Sequence, residues 1–239
     1  MIYNKENLYR RKELRMKKLL AIIAVLLVIL IGMIIYRNGQ KQVKNISVEE
    51  VSSIEQYLQK IYLWKEITNQ AIPLFETIEE ADDTWIWEVV KKNLEEYEVD
   101  KIQLEEKAKD LFGQEFAKEY PGEGTKSFVY DEETKKYYPT ESQLDEQEDL
   151  FLLDTIQRTE EGYEVEIVEY LEDYTKAEEG QVEIKNINDE MIASVDSNQV
   201  DVKGIDLVKE NKDRFTKKRI FLKVEGDKIF VTKVEEVKE

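Results

Sequence analysis

The segment from Gly162 to Asp173 is GYEVEIVEYLED, in which apolar and acidic residues alternate. Tyr163, Val165 and Ile167 would share one face of a strand, because successive side chains of a strand point to opposite faces of a sheet. The glutamates between them would then face solvent. The pattern therefore predicts a half-buried β-strand from Tyr163 to Leu171.

Further strand patterns lie on both sides of this segment. Leu150 to Ile156 precedes it, and the polar residues Thr159 to Gly162 between the two predict a hairpin turn. Arg219 to Val224 and Lys228 to Val234 flank Glu225 to Asp227 and predict a second hairpin at the C-terminal end. Shorter strands are predicted at Ser127 to Tyr130, Lys136 to Tyr138, Val182 to Ile187 and Met191 to Val195, and a helical turn at residues 204 to 212.

The region before these strands has helical periodicity instead. Ser47 and Glu50 form a capping box, since the hydroxyl can accept from the backbone N–H three residues on while the carboxylate reaches back. A second helix is expected to begin at Asp82 or Asp83, and a third to run from about Asp100 to Phe112. Helices first and antiparallel strands afterwards predict an α+β domain, with helices packed on one face of a curved sheet.

An apolar run without a charge precedes this domain, LLAIIAVLLVILIGMIIY from Leu19 to Tyr36. As a helix its 18 residues span about 27 Å, which just crosses a bilayer. A helix buried in a globular core usually has a polar face, so the run favours a transmembrane helix. No A-x-A-like cleavage site ends the run, and the chain has no cysteine that could carry a lipid. We therefore expect an uncleaved signal anchor.

The flanking charges predict the orientation of this anchor. Residues 1 to 18 carry seven Lys or Arg and two Glu, a net charge of +5, which leaves −23 on the rest of a chain whose total is −18. The positive end is expected to stay in the cytoplasm and the C-terminal domain to be extracellular. The expected layout is a cytoplasmic tail at 1–18, a transmembrane helix at 19–36, a linker at 37–46 and an extracytoplasmic domain at 47–239, with a helical part at 47–118 and a sheet part at 127–239. A separate helical module at 47–118 stays open as an alternative.

Composition excludes several classes of function. The chain of 239 residues has 53 acidic and 35 basic residues, so bulk charge does not favour nucleic acid as a partner. It has no histidine and no cysteine, which removes the usual nucleophile–base pairs and the usual ligands of zinc, haem and iron–sulfur centres. A cysteine-free exported domain fits a Gram-positive cell surface better than a disulfide-rich compartment.

Motifs that would mark a catalytic or cofactor site are missing from the sequence as well. Nucleophile elbows, P-loops, dinucleotide-binding loops and EF-hand loops do not occur in it. The acidic stretch from Glu141 to Asp149 is interpreted as a solvated loop and not as a calcium site. We therefore expect no catalytic residue, no cofactor and no metal.

Four segments resemble extracytoplasmic proteins of Firmicutes. They are LEEKAKDLFG at Leu104 to Gly113, SFVYDEETKKYY at Ser127 to Tyr138, GYEVEIVEYLED at Gly162 to Asp173 and IFLKVEGDKIFVTKVE at Ile220 to Glu235. The order of elements in residues 47 to 239 is similar to the NTF2-like, or cystatin-like, superfamily. This resemblance implies a cone-shaped fold whose cavity, between helices and sheet, serves different members for ligand binding, catalysis or protein assembly. The VirB8-like components of conjugation machines share the layout of short cytoplasmic tail, single helix and exported domain.

Aromatic residues are the candidate binding residues. Trp87 and Tyr97 fall within one arc of the second helix, whereas Trp85 lies well outside that arc. Either another element covers Trp85 in the core, which we favour, or the side chain is exposed and marks a partner-binding surface. Tyr137 and Tyr138 are further candidates, because tyrosines can line a carbohydrate or peptide cleft, although aromatic residues at strand spacing usually belong to a core.

Two functions stay open at this point. The first is a membrane-anchored extracytoplasmic binding or assembly module without catalytic activity, whose partner is a protein or an envelope component. The second is an exported, hydrolase-like enzyme that uses carboxylates in a cavity, since two carboxylates suffice for glycoside hydrolysis. The first requires an exposed binding patch, and the second requires a buried Asp or Glu that faces a pocket.

Overall fold

A computed structural model describes residues 46–63, 70–122, 126–141 and 147–238. The expected cytoplasmic tail, the transmembrane helix at Leu19 to Tyr36 and all but the last residue of the linker lie outside these residues. So does the acidic stretch from residue 142 to residue 146. None of the described helices combines the length and the hydropathy needed to cross a membrane.

The described residues form an α+β fold with four α-helices and a large antiparallel sheet, which confirms the predicted α+β class. The helices are α1 (Val48–Ile61), α2 (Asp83–Lys92), α3 (Lys101–Phe112) and α4 (Val200–Glu210). The strands are β1 (Phe128–Asp131), β2 (Lys136–Pro139), β3 (Gln147–Arg158), β4 (Gly162–Asp173), β5 (Gln181–Lys185), β6 (Met191–Asp196), β7 (Thr216–Glu225) and β8 (Lys228–Glu236).

Side chains cap the first three helices. Ser47 and Glu50 form the predicted capping box, in which the Glu50 backbone N–H donates to the Ser47 hydroxyl at 3.2 Å. The Asp82 carboxylate accepts from the backbone N–H of Trp85 at 3.1 Å and starts α2. Asp100 caps α3. These caps satisfy backbone N–H groups that the first helical turn leaves without partners.

Strand β4 is the centre of a six-stranded antiparallel sheet. It pairs with β3 along one edge, and along the other it pairs first with β7, from Gly162 to Glu169, and then with β5, from Leu171 to Asp173. Strand β8 extends the sheet beyond β7, and β6 extends it beyond β5. The sheet therefore forks at Tyr170, where one neighbour of β4 ends and the other begins.

Buried side chains cover both faces of the sheet. Ile167 belongs to a large core that includes α1, α2 and α3, whereas Val168 belongs to a smaller core with Val200 and Val208 of α4. Because neighbouring residues of a strand point to opposite faces, α4 lies on the face opposite the other three helices. The expectation that helices cover one face only is therefore corrected.

The strict alternation of buried and half-buried residues in β4 ends at Val168, and from there to Asp173 every residue is buried.

Candidate functional site

Trp85 lies in the large core, where its side chain is 0% exposed. Its indole Nε1–H donates to the carbonyl oxygens of Ile61 at 3.2 Å and Ala71 at 3.0 Å. The ring packs between Phe75 and Phe112, with centroid distances of 5.9 and 5.5 Å. A side chain without exposed surface cannot contact a partner directly. The structure therefore places Trp85 in the core and outside any binding surface.

The hairpin of β1 and β2 places the other two candidate binding residues, Tyr137 and Tyr138, on opposite faces. Tyr137 pairs with Tyr130, and Tyr138 pairs with Val129. The Tyr137 ring packs against buried Tyr120, with 5.0 Å between the centroids. Since directly paired residues of a hairpin share a face, Tyr137 lies on the side of the core and Tyr138 on the outer side.

The outer side of the hairpin carries a surface of one exposed tyrosine, one half-buried tyrosine and an exposed valine. Tyr97 is 74% exposed, Val129 is 59% exposed, and the Tyr97 and Tyr138 rings meet edge to face at 5.7 Å. We call these three residues the tyrosine surface. The helical pattern places Tyr97 on the buried arc of α2, but that prediction is wrong, because α2 ends at Lys92 and Tyr97 follows it in the loop.

Carboxylates lie close to the tyrosine surface. Glu96 and Glu98 flank Tyr97 in the chain, and the Tyr138 hydroxyl donates to Glu98 Oε2 at 3.3 Å. Glu95 and Glu96 are exposed, and neither forms a salt bridge within the described part of the chain. The surface therefore combines apolar rings with negative charge.

A second candidate site is a cavity of about 270 Å³ at the fork in the sheet, which we call the fork cavity. Four strands contribute polar lining residues to it. These are Asp149 from β3, Glu169 from β4, Thr216 and Lys218 from β7, and Glu236 from β8. In the sheet Glu169 pairs with Thr216 and Lys218 pairs with Glu236, so register brings together residues that are distant in sequence.

Glu169 and Lys218 form a buried ion pair in the wall of the fork cavity, with exposed fractions of 1% and 4%. Lys218 Nζ donates to Glu169 Oε1 at 3.0 Å and to the Ile72 carbonyl oxygen at 2.6 Å. It also lies 2.9 Å from Oε2, so the ammonium group faces both oxygens of the carboxylate. Burial raises the pKa of the Glu169 carboxyl above its ordinary value, against the lowering effect of Lys218.

The Tyr62 hydroxyl also lies close to the Glu169 carboxylate. That hydroxyl donates to the Leu150 carbonyl oxygen at 2.9 Å. Burial first, and then the negative charge of Glu169, raise the pKa of Tyr62 well above its ordinary value, so it stays protonated. Lys218 and Tyr62 therefore enclose the Glu169 carboxylate, and its Oε2 has almost no accessible surface.

The interpretation of Glu141 to Asp149 as a solvated loop is wrong at Asp149. It belongs to β3 and is 7% exposed. The strand begins at Gln147, three residues before the predicted Leu150, because β4 continues to Asp173 and pairs with it there. Within the described residues no group of carboxylates has an arrangement that could hold a metal ion.

Glu169 and Lys218 are the site residues that the sequence interpretation missed. A signal for both is present in the sequence. Glu169 lies two residues after buried Ile167, and Lys218 lies two residues before buried Ile220, so each points to the same face as its buried neighbour. Each therefore places a charge on the apolar face of its strand.

Comparisons with known proteins give no match to this chain. No protein-family model, no curated protein and no solved structure matches it. Function is therefore inferred from the geometry of the tyrosine surface and of the fork cavity.

Proposed function

We propose that this protein is an extracytoplasmic binding module without catalytic activity, anchored in the cell membrane by Leu19 to Tyr36, and that its tyrosine surface binds a basic segment of a partner protein. One observation carries the proposal. Tyr97, from the loop after α2, lies beside Val129 and Tyr138 on the outer face of a hairpin whose inner residues Phe128 and Tyr137 pack on the core. Tyrosine is enriched at binding hot spots.

The hairpin is held rigidly, which favours a binding role. Val99, two residues after Tyr97, exchanges two backbone hydrogen bonds with Tyr137, at 2.8 and 3.1 Å. On the other face the ring of Tyr130, which is 41% exposed, packs against that of Tyr137 with 4.8 Å between the centroids. Because the backbone that positions the exposed rings is already ordered, little conformational entropy is lost when a partner binds.

The charge near the surface favours a basic partner. Glu95 and Glu96 have no salt bridge within the described residues, and the whole chain carries a net charge of −18. Lys and Arg side chains would be attracted by these carboxylates and would also interact with the faces of the Tyr97 and Tyr138 rings. An uncharged glycan would use the rings but gain no ionic attraction.

The location and the superfamily belong to the same proposal. The basic residues before Leu19 support an N-terminus in the cytoplasm and an extracellular domain. The packing of α1, α2 and α3 on the antiparallel strands β3, β4, β7 and β8 supports an NTF2-like, or cystatin-like, relationship.

An exported enzyme is the second candidate, because Glu169 is a buried carboxylate that faces a cavity. A raised pKa also suits a general acid or base. We rank this function below binding, because the ion pair and hydrogen bond to Lys218 occupy the carboxylate that would exchange a proton with a substrate.

Fluorescence anisotropy with labelled peptides tests the binding proposal on the full-length chain in non-ionic detergent. The probes are two twelve-residue peptides, one of alternating Arg and Ser and one of alternating Glu and Ser. We expect saturable binding of the basic peptide only. The double variant Tyr97→Ala, Tyr138→Ala should bind it at least tenfold more weakly, which corresponds to about 1.4 kcal/mol.

A matched pair of charge variants separates a local effect from bulk attraction. Glu95→Gln with Glu96→Gln removes two charges beside the tyrosine surface, whereas Glu178→Gln with Glu179→Gln removes two exposed charges elsewhere. The first variant should weaken binding at least threefold and the second should leave it unchanged. Equal weakening by both, or full affinity of the tyrosine variant, would contradict the proposal. Salt-independent binding of a cell-wall oligosaccharide in place of the basic peptide would identify a glycan-binding surface instead.

A further inference from the structure

Strand β6 has an open edge. It lies at one end of the six-stranded sheet, and among the described residues β5 is its only strand partner. The Ser197 backbone N–H donates to the Gly180 carbonyl oxygen at 3.0 Å, and hydrogen-bonded positions alternate along an antiparallel pair. The backbone groups of Asp196 and Ser194 therefore point away from β5, where another strand could pair with them.

The opposite end of the sheet, at β8, is covered. Val231 donates its backbone N–H to the Tyr57 hydroxyl at 2.8 Å, and Val234 exchanges two backbone hydrogen bonds with Phe75, at 2.9 and 3.1 Å. Within the described residues neither Ser194 nor Asp196 has a backbone hydrogen bond of this kind. The edge of β6 is thus available for pairing, whereas that of β8 is occupied by the chain itself.

A groove of about 600 Å³ lies along the open edge of β6. Ser194, Val195 and Asp196 all line it, although Val195 points to the face opposite the other two. A groove that contacts both faces of a strand lies beside its edge and not above one face. Helix α4 forms the other wall, with Leu207 and several charged residues. We call this groove between β6 and α4 the edge groove.

The charge of the edge groove is mainly negative. Asp196 of β6 and Asp206 and Glu210 of α4 contribute carboxylates. Lys203 is the one cation among the described lining residues. Asp206 lies 3.8 Å from Lys209, whereas Asp196 and Glu210 are exposed and form no ion pair within the described part of the chain. Basic side chains are therefore favoured in this groove over acidic ones.

We propose that the edge groove binds an extended, basic segment of a partner protein, which adds to the sheet as a further strand beside β6. The backbone of the segment pairs with the open N–H and C=O groups of β6, and alternate side chains lie against α4. A second copy of this chain is a less suitable occupant, because two such grooves would bring carboxylates of like charge together. The edge groove is independent of the tyrosine surface and of the function proposed for it.

Fluorescence anisotropy with labelled eight-residue peptides tests this assignment on the full-length chain in non-ionic detergent. The chain carries Tyr97→Ala and Tyr138→Ala, so that the tyrosine surface cannot contribute. One probe alternates Val with Lys, and the other alternates Val with Glu. We expect saturable binding of the lysine peptide and at least tenfold weaker binding of the glutamate peptide. No binding of the lysine peptide, or equal binding of both, would overturn the proposal.

Backbone methylation distinguishes strand pairing from charge attraction alone. Two further lysine peptides carry backbone N-methyl groups, one on every Val and the other on every Lys, and both keep their charge. An added strand directs alternate N–H groups to β6 and the others to solvent. One of the two peptides should therefore bind at least tenfold more weakly than the other. Equal affinities would contradict strand addition.

A substitution at Ser194 places the binding at β6. Proline lacks the N–H and adds bulk on the open edge, but at this position it removes no hydrogen bond to β5, and proline is tolerated on edge strands. Ser194→Pro should weaken binding of the lysine peptide at least tenfold, whereas the matched control Ser194→Ala should bind as the parent does. Equal affinities of these two variants would overturn the assignment to the edge groove.

A pair of charge variants keeps the test decisive if proline prevents folding. Asp196→Asn with Glu210→Gln should weaken binding of the lysine peptide at least threefold, whereas Glu49→Gln with Glu55→Gln, which removes two exposed charges from α1, should leave it unchanged. Equal effects of the two variants would contradict the proposal. Sedimentation velocity detects a second copy as the occupant, and self-association that Ser194→Pro abolishes would overturn the assignment to a partner segment.

Discussion

Replacing Trp85 with alanine tests the core position of this side chain directly. The indole is fully buried between Phe75 and Phe112, and its Nε1–H joins the end of α1 to the loop before α2 through the carbonyl oxygens of Ile61 and Ala71. Trp85→Ala removes the ring and the donor together. The variant therefore loses packing in the large core and a link between two segments of the chain.

The structure gives the size of the expected loss. Truncating a buried Phe or Trp to Ala typically costs about 3–5 kcal/mol. The Ala71 carbonyl oxygen keeps a second donor, the backbone N–H of Leu63 at 3.1 Å, so the hydrogen-bond loss falls mainly on Ile61 and adds about 1 kcal/mol. A total of about 4–6 kcal/mol is a large part of the roughly 5–15 kcal/mol that stabilises a typical domain.

Urea unfolding of the full-length chain in non-ionic detergent, followed by circular dichroism, measures this loss. Trp85→Phe keeps most of the ring but not the N–H, so we expect an intermediate loss of about 1–3 kcal/mol. Tyr97→Ala is the control at an exposed aromatic residue and should stay within about 0.5 kcal/mol of the parent. A Trp85→Ala protein as stable as the parent would refute the core position.

Two further predictions concern topology and pH. Single cysteines at Asn4 and Ser142 should differ in labelling by a membrane-impermeant thiol reagent on intact cells, with only Ser142→Cys reacting. Labelling of Asn4→Cys alone would reverse the orientation. Release of a processed ectodomain would exclude an uncleaved anchor. Hydrogen bonds from the Ser47 backbone, and then from the Tyr163 hydroxyl, lower the pKa of Glu50 from 4.5 to about 2. Stability that depends on this carboxylate is present above pH 4.5 and is lost as the pH falls towards 2, so the melting temperature should fall more steeply there in the parent than in Glu50→Gln. Identical pH profiles would contradict the role of Glu50.

Interactions between residues close in sequence were predictable from the sequence. The capping box of Ser47 and Glu50 and the cap at Asp82 each involve residues three apart, so their partners are visible without knowledge of the fold. Tyr97 shows the limit of this reasoning. The apolar spacing of α2 continues to Tyr97, but Asn93 ends the helix, and its side-chain amide donates back to the Val89 carbonyl oxygen at 2.8 Å. Asparagine at a helix end is a known stop signal, and spacing alone did not reveal it.

Glu169 and Lys218 show why the fork cavity was harder to predict. The alternation of side chains places each residue on the buried face of its strand, but an isolated charge at the end of a strand pattern usually faces solvent. The two are 49 residues apart, and β5, β6 and α4 lie between their strands, so only the register of β4 with β7 makes them neighbours.

The presence of this buried ion pair needs an explanation other than its contribution to stability. A buried ion pair is often no more stabilising than apolar residues of similar volume, so Leu at both positions would serve the core equally well. Glu169 and Lys218 lie where β7 begins beside β4, and Lys218 also donates to the carbonyl oxygen of Ile72 in the segment before α2. A polar pair that adds little stability but joins two strands and a loop is better explained by fixing the register of β4 against β7 than by packing alone.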